Sequence, residues 1–312
     1  MFTSAIVPLD GSPEANAAMA PAASLVAKGG NVILLGVLPR TDLLAPALLD
    51  LLPVPDIRLA MRESIGEHLE RAGEPLSARA IRWETEVREG DPASQILAAA
   101  EEHRAGFIAM SIRGRGASGR ELIGSIADRV ARSSPVPVLL VRPGAPDGTP
   151  TMPFRRIVAP LDGSPRAEAA IPVAARIAAG LNVPVLLVQA IDSRMLAAPL
   201  SHEALPVISA RMLQTLRDDA AFYLTEACDR FGRHRNGSGR SFSWQVLEGS
   251  PCDAVTGVLR GGDLLVLTSH GRGGVTRWAL GSVAEKLLRD SSAPVLLVRA
   301  DQDTPNHVQR TP

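Results

Sequence analysis

The chain states the same pattern twice. Residues 6–12 read Ile-Val-Pro-Leu-Asp-Gly-Ser, and residues 158–164 read Val-Ala-Pro-Leu-Asp-Gly-Ser. Farther along, Gly124-Ser125 leads to Pro137-Val-Leu-Leu-Val-Arg142, and Gly281-Ser282 leads to Pro294-Val-Leu-Leu-Val-Arg299. The later landmarks lie slightly farther apart than the earlier ones, so the second copy carries a short net insertion. A repeat this long is a duplicated domain, because solenoid units run about 20–50 residues. Residues kept at matched positions in both copies are therefore the first candidates for chemistry. A chain of 312 residues accommodates two domains of ordinary size.

Each copy alternates short apolar runs with Ala-rich or amphipathic stretches. Copy one predicts strands near 4–9, 32–38, 80–88, 107–111 and 137–142. Helices fall near 13–28 (kinked at Pro21), 58–73, 92–104 and 125–133. Copy two predicts strands near 156–161, 185–191, 242–248, 264–269 and 294–299, with helices near 165–179, 203–231, 251–260 and 282–290. Residues 40–57 read as a loop, and the insertion falls around Arg233 to Arg240. Hydrophobic residues make up 46% of the chain but aromatics only 3%. That suits a parallel sheet of Val, Leu and Ile covered by Ala-rich helices. The fold class is α/β: two duplicated Rossmann-like domains over 1–145 and 154–300, each with a five-stranded parallel sheet of order 3-2-1-4-5 and helices on both faces. The linker spans Pro143 to Pro153, and 301–312 is a polar tail.

The 33 basic and 33 acidic residues balance, which argues against nucleic acid or an anionic membrane as partner. Cys228 and Cys252 both lie in the second half, so no cysteine framework is shared. No apolar run reaches the length of a membrane span, and Met1-Phe-Thr-Ser runs straight into a strand, which predicts no signal peptide and a cytoplasmic location.

In open parallel sheets, ligands bind outside the carboxyl ends of the strands at the topological switch point. Two features of each copy fall there. One is the Asp-Gly-Ser turn after strand one, carrying Asp10 or Asp162. The other is a Gly-rich loop after strand four. In both copies nine residues separate its glycines, Gly114 from Gly124 and Gly271 from Gly281. Glycines let backbone N–H groups approach an anion, and the helix opening at Ser125 or Ser282 adds its dipole. The loops are therefore read as phosphate cradles. Ser125 and Ser282 also fit a capping role, since Ser282-Val-Ala-Glu285 has the capping-box spacing. Asp10 and Asp162 suit a ribose hydroxyl, a metal bridging phosphates, or stabilisation of their own turn. Gly114-x-Gly116-x-x-Gly119 has the letters of a dinucleotide fingerprint, but it follows strand four instead of strand one. His270 is the histidine of the loop and its counterpart is Arg113, so no general base is shared.

At these residues the chain resembles the universal stress protein family in its tandem form. Nucleotide-binding members carry Gly-x-x-Gly, nine residues, then Gly-Ser/Thr. Gly114, Gly124 and Ser125, with Gly271, Gly281 and Ser282, match, whereas Ser111 and Thr268 replace the first glycine. The resemblance implies ATP or a related adenine nucleotide as ligand, with Mg or Mn held through its phosphates. It implies that Asp10 and Asp162 face ribose or metal and that the backbone near Val37 and Ala190 meets adenine. It implies a stress-response sensor without efficient turnover, its halves packed as a pseudo-dimer through the Pro-Val-Leu-Leu-Val-Arg strands, with a homodimer as a further expectation. Two alternatives stand beside it: a slow ATPase or autophosphorylating enzyme, and an interaction protein that binds no nucleotide.

Overall fold

The structure, a computed structural model, describes residues 1–38, 54–113, 123–144, 154–192, 205–232, 241–269 and 280–300. The expected linker from 145 to 153, the insertion at 233–240, most of the 40–57 segment and the tail lie outside these residues.

The Val- and Leu-rich runs form strands because both of their faces can be covered. In the first half these are β1 (Phe2–Pro8), β2 (Val26–Leu38), β3 (Arg82–Glu89), β4 (Phe107–Ser111) and β5 (Val138–Val141). In the second they are β6 (Arg156–Leu161), β7 (Val185–Ile191), β8 (Phe242–Glu248), β9 (Asp263–Thr268) and β10 (Val295–Val298). The helices are α1 (Pro13–Asn16), α2 (Met19–Leu25), α3 (Val54–Ser77), α4 (Pro92–Glu102), α5 (Ser125–Ser133), α6 (Pro165–Glu168), α7 (Ala170–Leu181), α8 (Leu205–Gly232), α9 (Pro251–Val258) and α10 (Ser282–Asp290).

Each half has the expected strand order 3-2-1-4-5, with parallel pairs throughout. The two sheets merge into one of ten strands, because β5 and β10 pair antiparallel with Leu139 opposite Leu296. Successive side chains leave a strand on opposite faces. Ala5 and Val7 of β1 thus join a core under α1, α2, α3, α6, α7 and α8, while Ile6 joins the core under α4, α5, α9 and α10. Both cores run through both halves.

The join is reinforced from each side by the arginine that follows the terminal strand. Arg142 donates through Nη2 to the Leu288 carbonyl at 2.9 Å and to that of Arg289, and through Nε to Ser291 O at 3.2 Å. These are the last carbonyls of α10, where a cation also meets the negative end of the helix dipole. Arg299 reciprocates with a single contact, Nη1 to Ser134 O at 3.4 Å.

Three local departures from the expectations have physical causes. The helix expected over 13–28 is two helices, because the ring of Pro21 conflicts with the carbonyl four residues back, at Ala17, where α1 ends. Pro172 repeats the break at Ala169 between α6 and α7. Strand β2 begins at Val26 instead of 32, with a bulge where its register to β1 shifts. There Gly29 has φ +76°, and a Cβ on Gly30 would come within 2.7 Å of Thr3 O. Helix α3 begins at Val54, inside the expected loop, since Pro55 is tolerated in a first helical turn.

Asp91 anchors the helices flanking the glycine loop. It caps α4 by accepting from Ser94 N at 3.0 Å, and it receives both Arg129 amino groups of α5 at 2.8 and 2.9 Å. These bonds, led by Arg129, hold its carboxyl well below the usual carboxylate range. Its stabilising effect is thus complete above the ordinary aspartate pKa of about 4 and disappears only as pH falls through the depressed folded value. Asp91→Ala is expected to cost about 1 kcal/mol, mostly from the lost cap, because the exposed ion pair adds little. Urea midpoints at neutral pH check the value, and an unchanged midpoint refutes it.

Candidate functional site

The Asp-Gly-Ser turn is built identically in the two halves. Gly11 and Gly163 take φ +81° and +78°, left-handed values that a side chain would resist. Asp10 Oδ1 accepts from Ser12 N at 2.9 Å and from Ser12 Oγ at 2.5 Å, and Asp162 Oδ1 accepts from Ser164 at 2.9 and 2.6 Å. Each serine oxygen in turn caps the next helix by accepting from Ala15 N or Ala167 N at 3.2 Å. Both aspartates therefore hold their own turns, one of the roles open to a carboxylate at this place. Asp10 nevertheless also lines the cleft described below.

Strands β4 and β9 end at Ser111 and Thr268, both buried. Ser111 Oγ accepts from Arg113 N at 3.2 Å, so this hydroxyl folds back on the strand end. The loops then leave the described residues, and with them go the expected Gly114, His270 and Gly271. They return at Gly124, whose N–H donates to Ile112 O at 2.7 Å, and at Gly281, whose N–H donates to Ser269 O at 2.8 Å. Both ends of each glycine loop are thus pinned to one strand terminus.

The helix caps are Gly124 and Gly281, with ordinary extended φ of −60° and −63°. Ser125 and Ser282 are each the first helical residue, one place too late to cap, and Glu285 is one turn position beyond a capping-box partner. The capping-box reading is overturned by this shift: glycine takes the cap, and an exposed serine opens the helix at the sheet edge. The N–H groups of the first turn have no acceptor inside the helix, so an anion placed there meets several donors and the positive dipole end.

In the first half these parts enclose a cleft of about 250 Å³, at the lower end of small-molecule sites. Asp10, Val37, Ser111, Gly124 and Ser125 all line it. Its apolar wall includes Leu35, Ile96 and Met110. The lining thus combines helix N–H donors and a carboxylate with apolar side chains. In the second half Asp162, Ala190, Thr268, Gly281 and Ser282 occupy the same topological positions, at the ends of β6, β7 and β9 and the start of α10. Arg113 also lines the first cleft. Its sequence signal was its place opposite His270, a pairing of cations. The apolar wall gave no signal, because buried strand residues look alike whether they face a helix or a ligand.

No group of three or more His, Cys, Asp or Glu residues is gathered to hold a metal among the described residues. A cation beside Asp10 would need phosphate oxygens to complete its shell. The cysteines are poor nucleophiles: burial pushes the Cys228 thiol up to about 11 and raises Cys252 as well. Among the described residues no helix is long and apolar enough to cross a membrane.

Comparison with known proteins agrees with the doubled architecture. The family model described as "Universal stress protein family" matches residues 1–142 and again 153–299. A universal stress protein of Mycobacterium tuberculosis is 25% identical over 215 residues, covering 63% of this chain and 60% of the relative, so the chain spans about 60% of that relative's length. One from Thermus aquaticus is 39% identical over 98 residues, 29% of this chain and 71% of the relative. Among solved structures, a universal stress protein from Archaeoglobus fulgidus shares the fold with a TM-score of 0.61 at 19% identity, covering 96% of this chain and 97% of that one.

Proposed function

Because the chain belongs to the universal stress protein family, with one family unit in each half, we propose that it is a cytoplasmic stress-response protein that binds ATP or a related adenine nucleotide as a signal. The observation that carries this reading is the first cleft, which brings together Asp10, Val37, Ser111, Gly124 and Ser125 from distant parts of the chain. In this reading the phosphates lie at the start of α5, the adenine rests against the apolar wall near Val37, and Asp10 takes the ribose or an Mg or Mn ion held by the phosphates. Gly281 and Ser282, with Asp162, form the second site. The units 1–145 and 154–300 act together as a pseudo-dimer, a role supported by the ten-stranded sheet.

Turnover is expected to be slow. Asp10 and Asp162 are already engaged with their own turns, and both thiols are held above their ordinary pKa, so a poised base or nucleophile is missing from the parts of the site described. Mass spectrometry of the supernatant after denaturing freshly purified protein is expected to find an adenine nucleotide in substoichiometric to stoichiometric amount. Incubation with ATP is expected to release phosphate far more slowly than the turnover of about 1–100 s⁻¹ common for kinases. Finding no nucleotide, and no binding on titration, would leave the interaction-protein reading. Rapid phosphate release would favour the ATPase.

A further inference from the structure

We propose that Arg113 sets the first cleft's preference for a nucleotide with an extended phosphate chain over a bare nucleoside. The proposal rests on the nucleotide reading above and adds to it a residue and a basis for selectivity. Arg113 follows directly on β4, between the strand end at Ser111 and the glycine loop, and it lines the cleft. Its Nε is buried and has no hydrogen-bond partner among the described residues. A guanidinium nitrogen removed from water without an acceptor is costly, so an oxygen-rich anion in the adjoining cleft would satisfy it.

Charge around Arg113 points the same way. Arg142 lies close enough to Arg113 for their like charges to act on each other. Arg142 is committed to the carbonyls ending α10, so it cannot move aside without breaking the seam. Asp10, which also lines the cleft, already accepts two bonds from Ser12. A polyphosphate would therefore relieve the repulsion between the two guanidinium groups, add an acceptor for Arg113 and use the N–H groups of α5. Adenosine would do none of this. The second half carries His270 at the corresponding place, a weaker and pH-dependent cation, so the two halves differ in how strongly they reward phosphate.

The test is calorimetric titration of the full chain with ATP, AMP and adenosine, in the wild type and in Arg113→Gln and Arg113→Lys. Both sites in the wild type are expected to favour ATP over adenosine, the first more strongly. In Arg113→Gln the ATP affinity of the first site should fall about tenfold or more, as for loss of a hydrogen bond to a charged group, with adenosine affinity unchanged. Arg113→Lys should keep most of the preference through its charge. Equal weakening of ATP and adenosine in Arg113→Gln would show a merely structural role, and no change in either would remove Arg113 from the site. Both results overturn the proposal. A wild type that binds neither ATP nor adenosine would instead overturn the nucleotide reading itself, and this assignment with it.

Discussion

Gly124→Val is expected to weaken nucleotide binding in the first half by about a hundredfold or more, and Gly281→Val to do the same in the second. A phosphate oxygen must come within about 3 Å of the first-turn N–H groups to accept from them. Each such bond to a charged oxygen contributes about 1.5–3 kcal/mol, so keeping the phosphate away from two of them is worth at least the ~2.7 kcal/mol of a hundredfold change. The backbone at Gly124, φ −60° and ψ 145°, is one that any residue adopts. A Cβ there would touch Ile112 O at 3.3 Å and, among the described residues, nothing else within 4 Å. Because Gly124 itself lines the cleft, branched methyl groups there are expected to crowd a phosphate at the helix start while the fold adjusts by a few tenths of an ångström. Calorimetry should show the loss, and the melting temperature of the ligand-free protein should change little. Unchanged affinity in both variants would sink the assignment of these helix starts to phosphate.

The second large effect lies at the seam. Leu139 and Leu296 face each other across the antiparallel pair and are fully buried. Leu139→Asp removes a side chain whose burial stabilises by about 1.5–3 kcal/mol and places a carboxylate among the apolar side chains of the shared core, adding several kcal/mol. A total loss above about 4 kcal/mol is expected, against about 3 kcal/mol for Leu139→Ala, which leaves only a cavity. Urea unfolding of the full chain measures both. By the same physics, residues 1–145 alone should dimerise or aggregate, since β5 would present an apolar edge with nothing paired to it. An Asp variant within 1 kcal/mol of the wild type, or a clean monomeric half at tens of micromolar, would mean that the seam contributes little.

Much of this was legible because the pattern is written twice. Strands β4, β6, β7 and β8 and helices α5 and α10 fall on the residues their apolar runs and glycine boundaries predict. The alternation of strands and helices pointed to a parallel sheet covered on both faces, although it does not fix the strand order by itself. The glycine spacing pointed to the strand ends that border the cleft, where Gly124 is part of the lining. What stayed hidden depends on contacts between distant residues. Nothing local distinguishes a serine that caps a helix from one that opens it, and Ser125 and Ser282 turned out to do the latter. Pro21 announced a disturbance, but whether it kinks or breaks depends on how Ala17 is held. The bond from Asp10 to Ser12 is local, yet it could be told from ligand binding only once the turn had coordinates. The grip of Arg142 on α10 joins residues 146 or more positions apart and has no sequence signature.

The antiparallel seam also bears on how such a molecule can change over generations. When two identical chains meet across an isologous interface, every substitution appears twice, and a trait useful in one site is imposed on the other. Here the partners are covalently one chain, so each half is free to drift. Arg142 makes three contacts across the seam where Arg299 makes one, and arginine stands in one loop where histidine stands in the other. The shared sheet keeps the halves together while the inherited symmetry erodes, which lets one molecule carry two clefts of different chemistry.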